Sequence, residues 1–378
     1  MKVLFVNQVP EVNNKYTFSL ARALIRNGID VTVCGIEKDD VSNYKDVPFA
    51  GIFGSYSNES GYIKKVLSYK NSWDRVVEYC ELNEIDIVHV QWYIFSPMDW
   101  HYHKILRNKN IKVVTTIHDL LPFNRKIYDF FFHKKIYSNS DMVISQARMN
   151  ESVLIDKFCV REEKIRYIPH GHYMEYAEVV SKEDSLQYLN LPKGKKIVLF
   201  FGQIKKVKGV DVLINAMKMV SEKHEDAYCI IAGKVWKDDF SLYSKQILEL
   251  QLEEYIRTDI RYISDKEIKY YFNAADVVAL PYLQIYQSGV VLLGVAYKKP
   301  IVATTEGEFK SLFRNHETGI LVQAGSAKEL ADAIIWYFDN YDEGQQYAEK
   351  AYEDINIRLS WDTISKDIEN VYYAVMRS

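Results

Sequence analysis

The sequence has few cysteines, no long apolar run and no excess of positive charge. Its four cysteines, Cys34, Cys80, Cys159 and Cys229, lie far apart, with no CxxC pair and no zinc-ligand spacing. That absence points to a reduced, cytoplasmic protein rather than a disulfide or zinc scaffold. No stretch approaches the ~20 apolar residues that a transmembrane helix requires. The opening run Met1 to Val6 is too short for a signal-peptide core, and no small-residue cleavage site follows it, so it reads as a strand. The 48 basic and 51 acidic residues leave a net charge of −3 and a pI near 6.3, so no nucleic-acid partner is expected. A GxGxxG fingerprint, the GxxxxGK[ST] spacing of a P-loop, a Ser-His-Asp set and a metal-ligand cluster are all missing. Neither a cofactor nor a metal is expected.

What is present is globular composition, with 48% hydrophobic and 26% charged residues. A chain of 378 residues exceeds one ordinary domain, and two is the natural division. The first half alternates strands and helices. Val3 to Val6 reads as a strand, Gln8 to Tyr16 as a polar loop, Thr17 to Asn27 as a helix with Gly28 at its C-cap, and Asp30 to Cys34 as the next strand. Strands follow at Ile85 to Val90, Lys112 to Ile117, Asp141 to Ser145 and Ile165 to Ile168. In a parallel, doubly wound sheet ligand groups sit just past the strands' carboxyl ends. Gln91, His118, Asp119, Ser145 and His170 fall there.

Residues 173–193 are polar and acidic and read as a linker between domain 1–172 and domain 194–359. The second series has strands at Ile197 to Phe201, Tyr228 to Ala232, Ile260 to Ile263, Asp276 to Leu280, Pro300 to Ala303 and Gly319 to Val322. Helices separate them, and two more close the chain. The last, within 360–378, is expected to return to the first domain through Ile364, Ile368, Val371 and Tyr372.

Two stretches of the second half carry chemistry. After the apolar run Ile197 to Phe201 comes Gly202, then a loop with Lys205, Lys206 and Lys208, then Gly209 and a helix from Val210. Glycines let backbone approach an anion, the helix start offers free N–H groups and the lysines add charge. Alone, the stretch also fits an ordinary βα turn with solvated lysines. Downstream, Gln287-Ser288-Gly289-Val290 opens another helix and offers a second set of N–H groups, or simply a helix capped by Ser288. Taken together the two suit a diphosphate.

In the first half, His118 could donate to a sugar hydroxyl or a phosphate, or could be a capping or core residue. His170-Gly171 shapes the crossover. Residues 124–137 mix aromatics with Arg125, Lys126, Lys134 and Lys135, as an anionic-lipid surface would. The competing expectation is a helix that turns Ile127, Phe131 and Ile136 inward, and residues 61–70 pose the same choice.

Together these segments resemble the family 4 retaining glycosyltransferases. The resemblance runs through Ile117-His118-Asp119, Ile168 to Gly171, Gly202 to Gly209, Ile230 to Gly233, Ala274 to Tyr282, Gln287 to Val290 and Lys299 to Thr304. It implies a GT-B fold, two facing Rossmann-like α/β domains with an interdomain cleft. It implies transfer of a sugar from a nucleotide-diphosphate sugar to a glycan or lipid-linked acceptor. Lys205 and Lys208 would hold the diphosphate and His118 would lie by the sugar. The backbone of Gly289 and Val290 would meet the phosphates, Gly233, Lys234, Tyr262 and Ile263 would lie by the base, and Gly202, Gln203, Gln287 and Ser288 would complete the donor site.

The sequence departs from the family at several positions. Its paired glutamates are replaced by Ile285 and Leu293, as in a subset carrying Gln-Ser-Gly-Val, and its usual arginine is Gln203, with Lys205 supplying that charge. The glycine pair after the first strand is replaced by Gln8 to Asn14. The setting expected is bacterial surface polysaccharide assembly in the cytoplasm, with the first domain in peripheral contact with the membrane. A non-catalytic accessory subunit and a sugar-nucleotide 2-epimerase are the alternatives.

Overall fold

The computed structural model describes residues 1–37, 41–54, 61–122, 126–285 and 288–378, with backbone alone for 10–13. The chain forms two units, Met1–Gly171 with Leu359–Ser378, and His172–Arg358.

The first unit contains β1 (Lys2–Val6), α1 (Pro10–Arg26), β2 (Asp30–Ile36), β3 (Phe49–Phe53), α2 (Tyr62–Leu82), β4 (Ile87–Val90) and α3 (Ser96–Asn108). It continues with β5 (Lys112–Ile117), α4 (Asp129–Asn139), β6 (Met142–Ser145), α5 (Asn150–Asp156) and β7 (Ile165–Tyr167). The strands are all parallel, in the order β3-β2-β1-β4-β5-β6-β7. Leu4, Val88 and Val113 point into a core shared with Trp73, Tyr102 and Ile136 from α2, α3 and α4. Val3, Phe5 and Val114 point into the opposite core, with Phe18, Leu20 and Leu24 of α1. Burial on both faces is why these strands are unbroken apolar runs in the sequence.

The second unit contains α6 (Lys182–Tyr188), β8 (Lys196–Phe201), α7 (Val210–Lys223), β9 (Ala227–Ala232), α8 (Phe240–Glu249), β10 (Ile256–Asp259) and α9 (Asp265–Ala274). Then come β11 (Val277–Leu280), α10 (Gly289–Ala296), β12 (Ile301–Thr304), α11 (Phe309–Leu312), β13 (Ile320–Val322), α12 (Ala327–Asp339) and α13 (Tyr341–Arg358). Its parallel sheet runs β10-β9-β8-β11-β12-β13. The final helix, α14 (Trp361–Arg377), belongs to the first unit. Its Ile364, Ile368, Val371 and Tyr372 lie in the α1 core, Tyr372 Oη is 2.6 Å from His89 Nδ1, and Arg26 pairs with Asp362 at 2.6 Å.

Several sequence expectations need correction. Gln8 to Tyr16 is not a loop, because α1 starts at Pro10, whose fixed φ suits a first helical turn. The strand expected at Ile260 to Ile263 is β10, four residues earlier, paired from Ile256↔Cys229 to Asp259↔Ala232. Its register ends where β9 ends, and Gly233 N–H donates to the Asp259 carbonyl at 3.0 Å. Residues 173–193 are not a linker. They belong to the second unit, where Lys182 pairs with Asp276 at 2.5 Å and Tyr188 stacks on Tyr270 with ring centroids 3.7 Å apart. Asp141 and Asp276 precede their strands rather than opening them. Their carboxylates accept the N–H of Val113 (2.8 Å) and Ile197 (2.7 Å) from neighbouring strands.

Helix α4 is also rotated from expectation. Only Ile136 turns inward, while Ile127 is 101% and Phe131 52% exposed. The cause is buried Asp129, which accepts the Lys126 N–H at 2.5 Å and the Ser96 hydroxyl at 2.6 Å. That anchor starts the helix at residue 129 and makes Asp129, His133, Ile136 and Tyr137 its inward stripe. Arg125 lies outside the described residues.

Candidate functional site

In each sheet the connections diverge to either side of one strand pair, β1 and β4 in the first and β8 and β11 in the second. The carboxyl edge beside such a pair is where doubly wound sheets hold ligands.

At the second-unit edge, β8 is followed by Gly202 with φ +113°, a conformation favouring glycine. Ile204 bridges Val235, Lys205 is extended, and residues 206–208 make a single 3₁₀ turn. Gly209, left-handed at φ +66° and ψ +33°, turns the chain into α7. The loop is fastened to the segment after β11, where Leu283 N–H donates to the Val207 carbonyl at 2.8 Å. A Cβ on Gly209 would stand 2.0 Å from the Pro281 carbonyl oxygen, and one on Gly233 would stand 1.8 Å from that of Gly202. At both places backbone meets backbone with no room for a side chain.

The same contacts place the second helix start. A Cβ on Gly202 would be 3.1 Å from Val290 Cγ2, and one on Gly289 would be 3.3 Å from the Tyr173 ring. Ser288 holds the N-cap position, but its hydroxyl makes no bond to the helix backbone; it lies 3.4 Å from Tyr282 Oη. Lys208 Nζ sits 3.5 Å from the Tyr282 ring centroid, a cation–π contact that fixes its charge beside both helix starts. Lys205 is half-buried and Lys206 exposed. The structure thus brings together Gly202, Lys208, Gly209, Ser288, Gly289 and Val290. Gln287 lies outside the described residues. Two helix N-termini and a held cation on one edge make a site for a multiply charged anion.

At the first-unit edge, His118 follows β5 and is buried. Its Nε2 lies 3.1 Å from Gln91 Oε1, its ring stacks on Trp92 (centroids 5.0 Å apart, planes 7° apart) and Tyr16 meets it edge-on at 5.0 Å. Burial is the main cause that lowers its pKa to about 3, with His170 adding to it, so the ring is neutral at ordinary pH. Behind it Gln8 Nε2 donates to the Trp92 carbonyl at 3.2 Å, and Tyr69 Oη reaches Gln8 Oε1 at 2.5 Å. His170 packs on Tyr16 and Trp361, and a Cβ on Gly171 would touch the Trp361 ring at 2.8 Å, so this pair shapes the turn.

Tyr69 has one proton and two acceptors, because Asp99 Oδ1 also takes its hydroxyl. A protonated Asp99 resolves this: it donates to Tyr69, Tyr69 donates to Gln8, and Asp99 Oδ2 still accepts the Phe95 N–H at 2.9 Å. Burial accordingly pushes the Asp99 carboxyl up to about 7. The folded state binds this proton more tightly than the unfolded chain. Stability of the first unit should therefore fall as pH rises from about 4, the free carboxyl value, through about 7. An asparagine in its place would reproduce the protonated acid's donor and acceptor. Urea unfolding of Asp99→Asn should show a flatter pH dependence in that window, and an unchanged slope would contradict the assignment.

Each unit matches a family model of its own. Residues 14–175 match Glycosyltransferase Family 4, and residues 181–354 match Glycosyl transferases group 1. The chain belongs to the family 4 glycosyltransferases. An uncharacterized glycosyltransferase of Methanocaldococcus jannaschii is 22% identical, over 94% of this chain and 93% of its own. A phosphatidyl-myo-inositol mannosyltransferase of Mycobacterium leprae is 30% identical, over 56% of this chain and 54% of its own. Among solved structures, Anabaena Alr3699/HepE in complex with UDP-glucose superposes with a TM-score of 0.78 at 18% identity, covering 99% of this chain and 100% of that one. The fold is GT-B.

The remaining expected contacts of the glycosyltransferase are spread more widely. Gln203 and Lys234 are exposed, and the Lys234 carbonyl accepts the Ile204 N–H at 3.0 Å, which ties residues 233–235 to the phosphate loop. Tyr262 and Ile263 follow β10, two strands from β8; Tyr262 is 68% exposed and Ile263 buried. Pro281 and Tyr282 fall within a motif that gives them no role, and nothing in the sequence spacing says that a ring will hold Lys208. Trp92 and Tyr16 carry no signal in the sequence beyond their closeness to a strand end.

Proposed function

We propose that this glycosyltransferase moves a sugar, with retention of anomeric configuration, from a UDP- or GDP-sugar to a hydroxyl of a glycan or lipid-linked acceptor in bacterial surface polysaccharide synthesis. The observation that carries the reading is the meeting of the Lys208–Gly209 loop with the Ser288–Val290 helix start around Gly202. The bond from the anomeric carbon to the β-phosphate oxygen breaks, and charge builds on the diphosphate. Lys208, Lys205 and the two helix starts stabilise that charge more than the ground state's, which is what accelerates the step. The acceptor oxygen bonds the anomeric carbon, and its proton leaves to a diphosphate oxygen, so no protein nucleophile is required. Neutral His118 accepts a hydrogen bond from a sugar hydroxyl through its unprotonated ring nitrogen. A panel of UDP- and GDP-sugars, with EDTA present, tests this. Turnover with one donor and a product of retained configuration by proton NMR is expected; inversion would overturn the mechanism, and no turnover with any donor would favour an accessory subunit.

Peripheral contact with a membrane is part of the proposal. Tyr62, Ile63 and Leu67 of α2 are exposed beside Lys64 and Lys65, and Ile127, Phe130 and Phe131 beside Lys126. Lys135 lies over the Phe131 ring at 4.4 Å. Exposed apolar side chains among lysines suit an anionic bilayer. No helix among the described residues is long and apolar enough to cross a membrane. Sedimentation with phosphatidylglycerol vesicles should exceed that with phosphatidylcholine, and Ile63→Glu with Phe131→Glu should abolish it. Equal binding to both vesicles, or no binding, would contradict the contact.

A further inference from the structure

His118 is a buried, neutral ring whose use depends on how it is held. Two consecutive residues after β4 contact it, beside the Gln146 side chain, which also hydrogen-bonds the ring. Gln91 Oε1 meets its Nε2 at 3.1 Å, and Trp92 covers its face with planes only 7° apart. Tyr16 closes the edge. The Trp92 carbonyl is itself fixed by Gln8. Among the described residues, each clamp residue keeps a buried donor with no partner, Gln91 Nε2 and Trp92 Nε1. An amide that gives up part of its hydrogen bonding to reach one imidazole nitrogen is ill suited to a purely structural role, since a buried donor left without a partner is destabilising.

We infer that Gln91 and Trp92 are positioning residues of the sugar transfer, which fix the orientation and tautomer of His118. Gln91 Oε1 accepts from His118 Nε2–H, and the Trp92 ring prevents rotation about the Cβ–Cγ bond. The inference rests on the proposed role of His118. The titratable groups that bear on the imidazole include Tyr16 from α1, His89 from β4 and His170 after β7, and these three supply no negative charge near neutral pH.

The experiment combines kinetics with direct observation of the ring in the full-length protein. Gln91→Leu should lower kcat about 3- to 10-fold, the worth of one neutral hydrogen bond, with KM for the nucleotide sugar little changed. In a His118→Ala background the same substitution should cost nothing further, because its effect passes through the imidazole. Trp92→Leu should behave likewise, and Trp92→Phe, which keeps a stacking ring, should recover most of the loss. Gln91→Glu places a carboxylate against Nε2 and should raise the His118 pKa, followed by imidazole NMR without any substrate, by on the order of 1–3 units. An equal loss from Gln91→Leu with and without His118 would overturn the clamp, as would an imidazole pKa indifferent to Gln91→Glu. If His118→Ala itself leaves turnover intact, the role of His118 falls, while the NMR result still decides whether Gln91 holds the ring.

Discussion

Gly209→Ala should destabilise the second unit by about 3 kcal/mol or more, the range of the severest single substitutions. Two costs combine. An alanine in the left-handed region costs about 1–2 kcal/mol by itself. Its Cβ would also stand 2.0 Å from the Pro281 carbonyl oxygen, so backbone on one side or the other has to move. Neither can yield freely, because Gly209 opens α7 and Pro281 follows directly on β11. Gly194→Ala is the control. It shares a positive φ, +76°, but among the described residues nothing lies within 4 Å of its Cβ. It should show the conformational cost alone. At roughly 2–4 °C per kcal/mol for a unit of this size, Gly209→Ala should lower the melting temperature by at least ~6 °C, and Gly194→Ala by about half that or less. Equal shifts in calorimetry would rule out a costly close approach to Pro281. Gly233→Ala, facing the Gly202 carbonyl at 1.8 Å, should follow Gly209→Ala.

Lys208→Ala should leave stability almost unchanged and remove most donor binding. Its ammonium rests on the Tyr282 ring at 3.5 Å, and a cation–π contact of this kind contributes only about 0.5–1 kcal/mol at an exposed edge. A charged hydrogen bond to a phosphate is worth about 1.5–3 kcal/mol, or roughly 10- to 150-fold in the dissociation constant. The loss in kcat/KM should be larger, on the order of 10²- to 10³-fold, because the charge on the leaving diphosphate grows towards the transition state. Lys208→Arg should recover only part of it, since a planar guanidinium does not place its charge where an ammonium does. Tyr282→Leu should weaken donor binding less than Lys208→Ala, by about 0.5–1 kcal/mol, by freeing the lysine. Lys206→Ala, exposed on the same turn, should change little. Titration calorimetry with UDP-glucose and a GDP-sugar reads these differences. Donor affinity unchanged in Lys208→Ala and Lys205→Ala would remove the diphosphate from this edge.

Much of the architecture was legible because parallel strands buried on both faces leave continuous apolar runs, and these do not depend on distant partners. Ile197 to Phe201, Lys112 to Ile117 and the α9 helix from Asp265 to Ala274 could be read from local pattern alone. The errors have a common physical source. Periodicity in 124–137 could not say where the helix began, and the buried Asp129–Ser96 contact rotated it so that Phe131 faces outwards. Ile260 to Ile263 looks like a strand, yet the length of β9 decides where β10 ends. Strands carrying glycine or polar interruptions, such as β3, escaped notice because their burial is only partial.

The site divides in the same way. The sequence by itself determined the chemistry available: glycines where backbone must pass close to backbone, lysines beside them, helix starts after strands, and a histidine at a strand end. These depend on residue type and order along the chain. Only the tertiary structure decided that the Lys208 loop and the Ser288–Val290 helix start meet at Gly202, that Tyr282 holds the lysine, and that Gln91 and Trp92 hold His118. The contacts at Gly202 join segments far apart in sequence, and the clamp joins the ends of two neighbouring strands. Strand order and register, rather than the spacing of residues, set those distances.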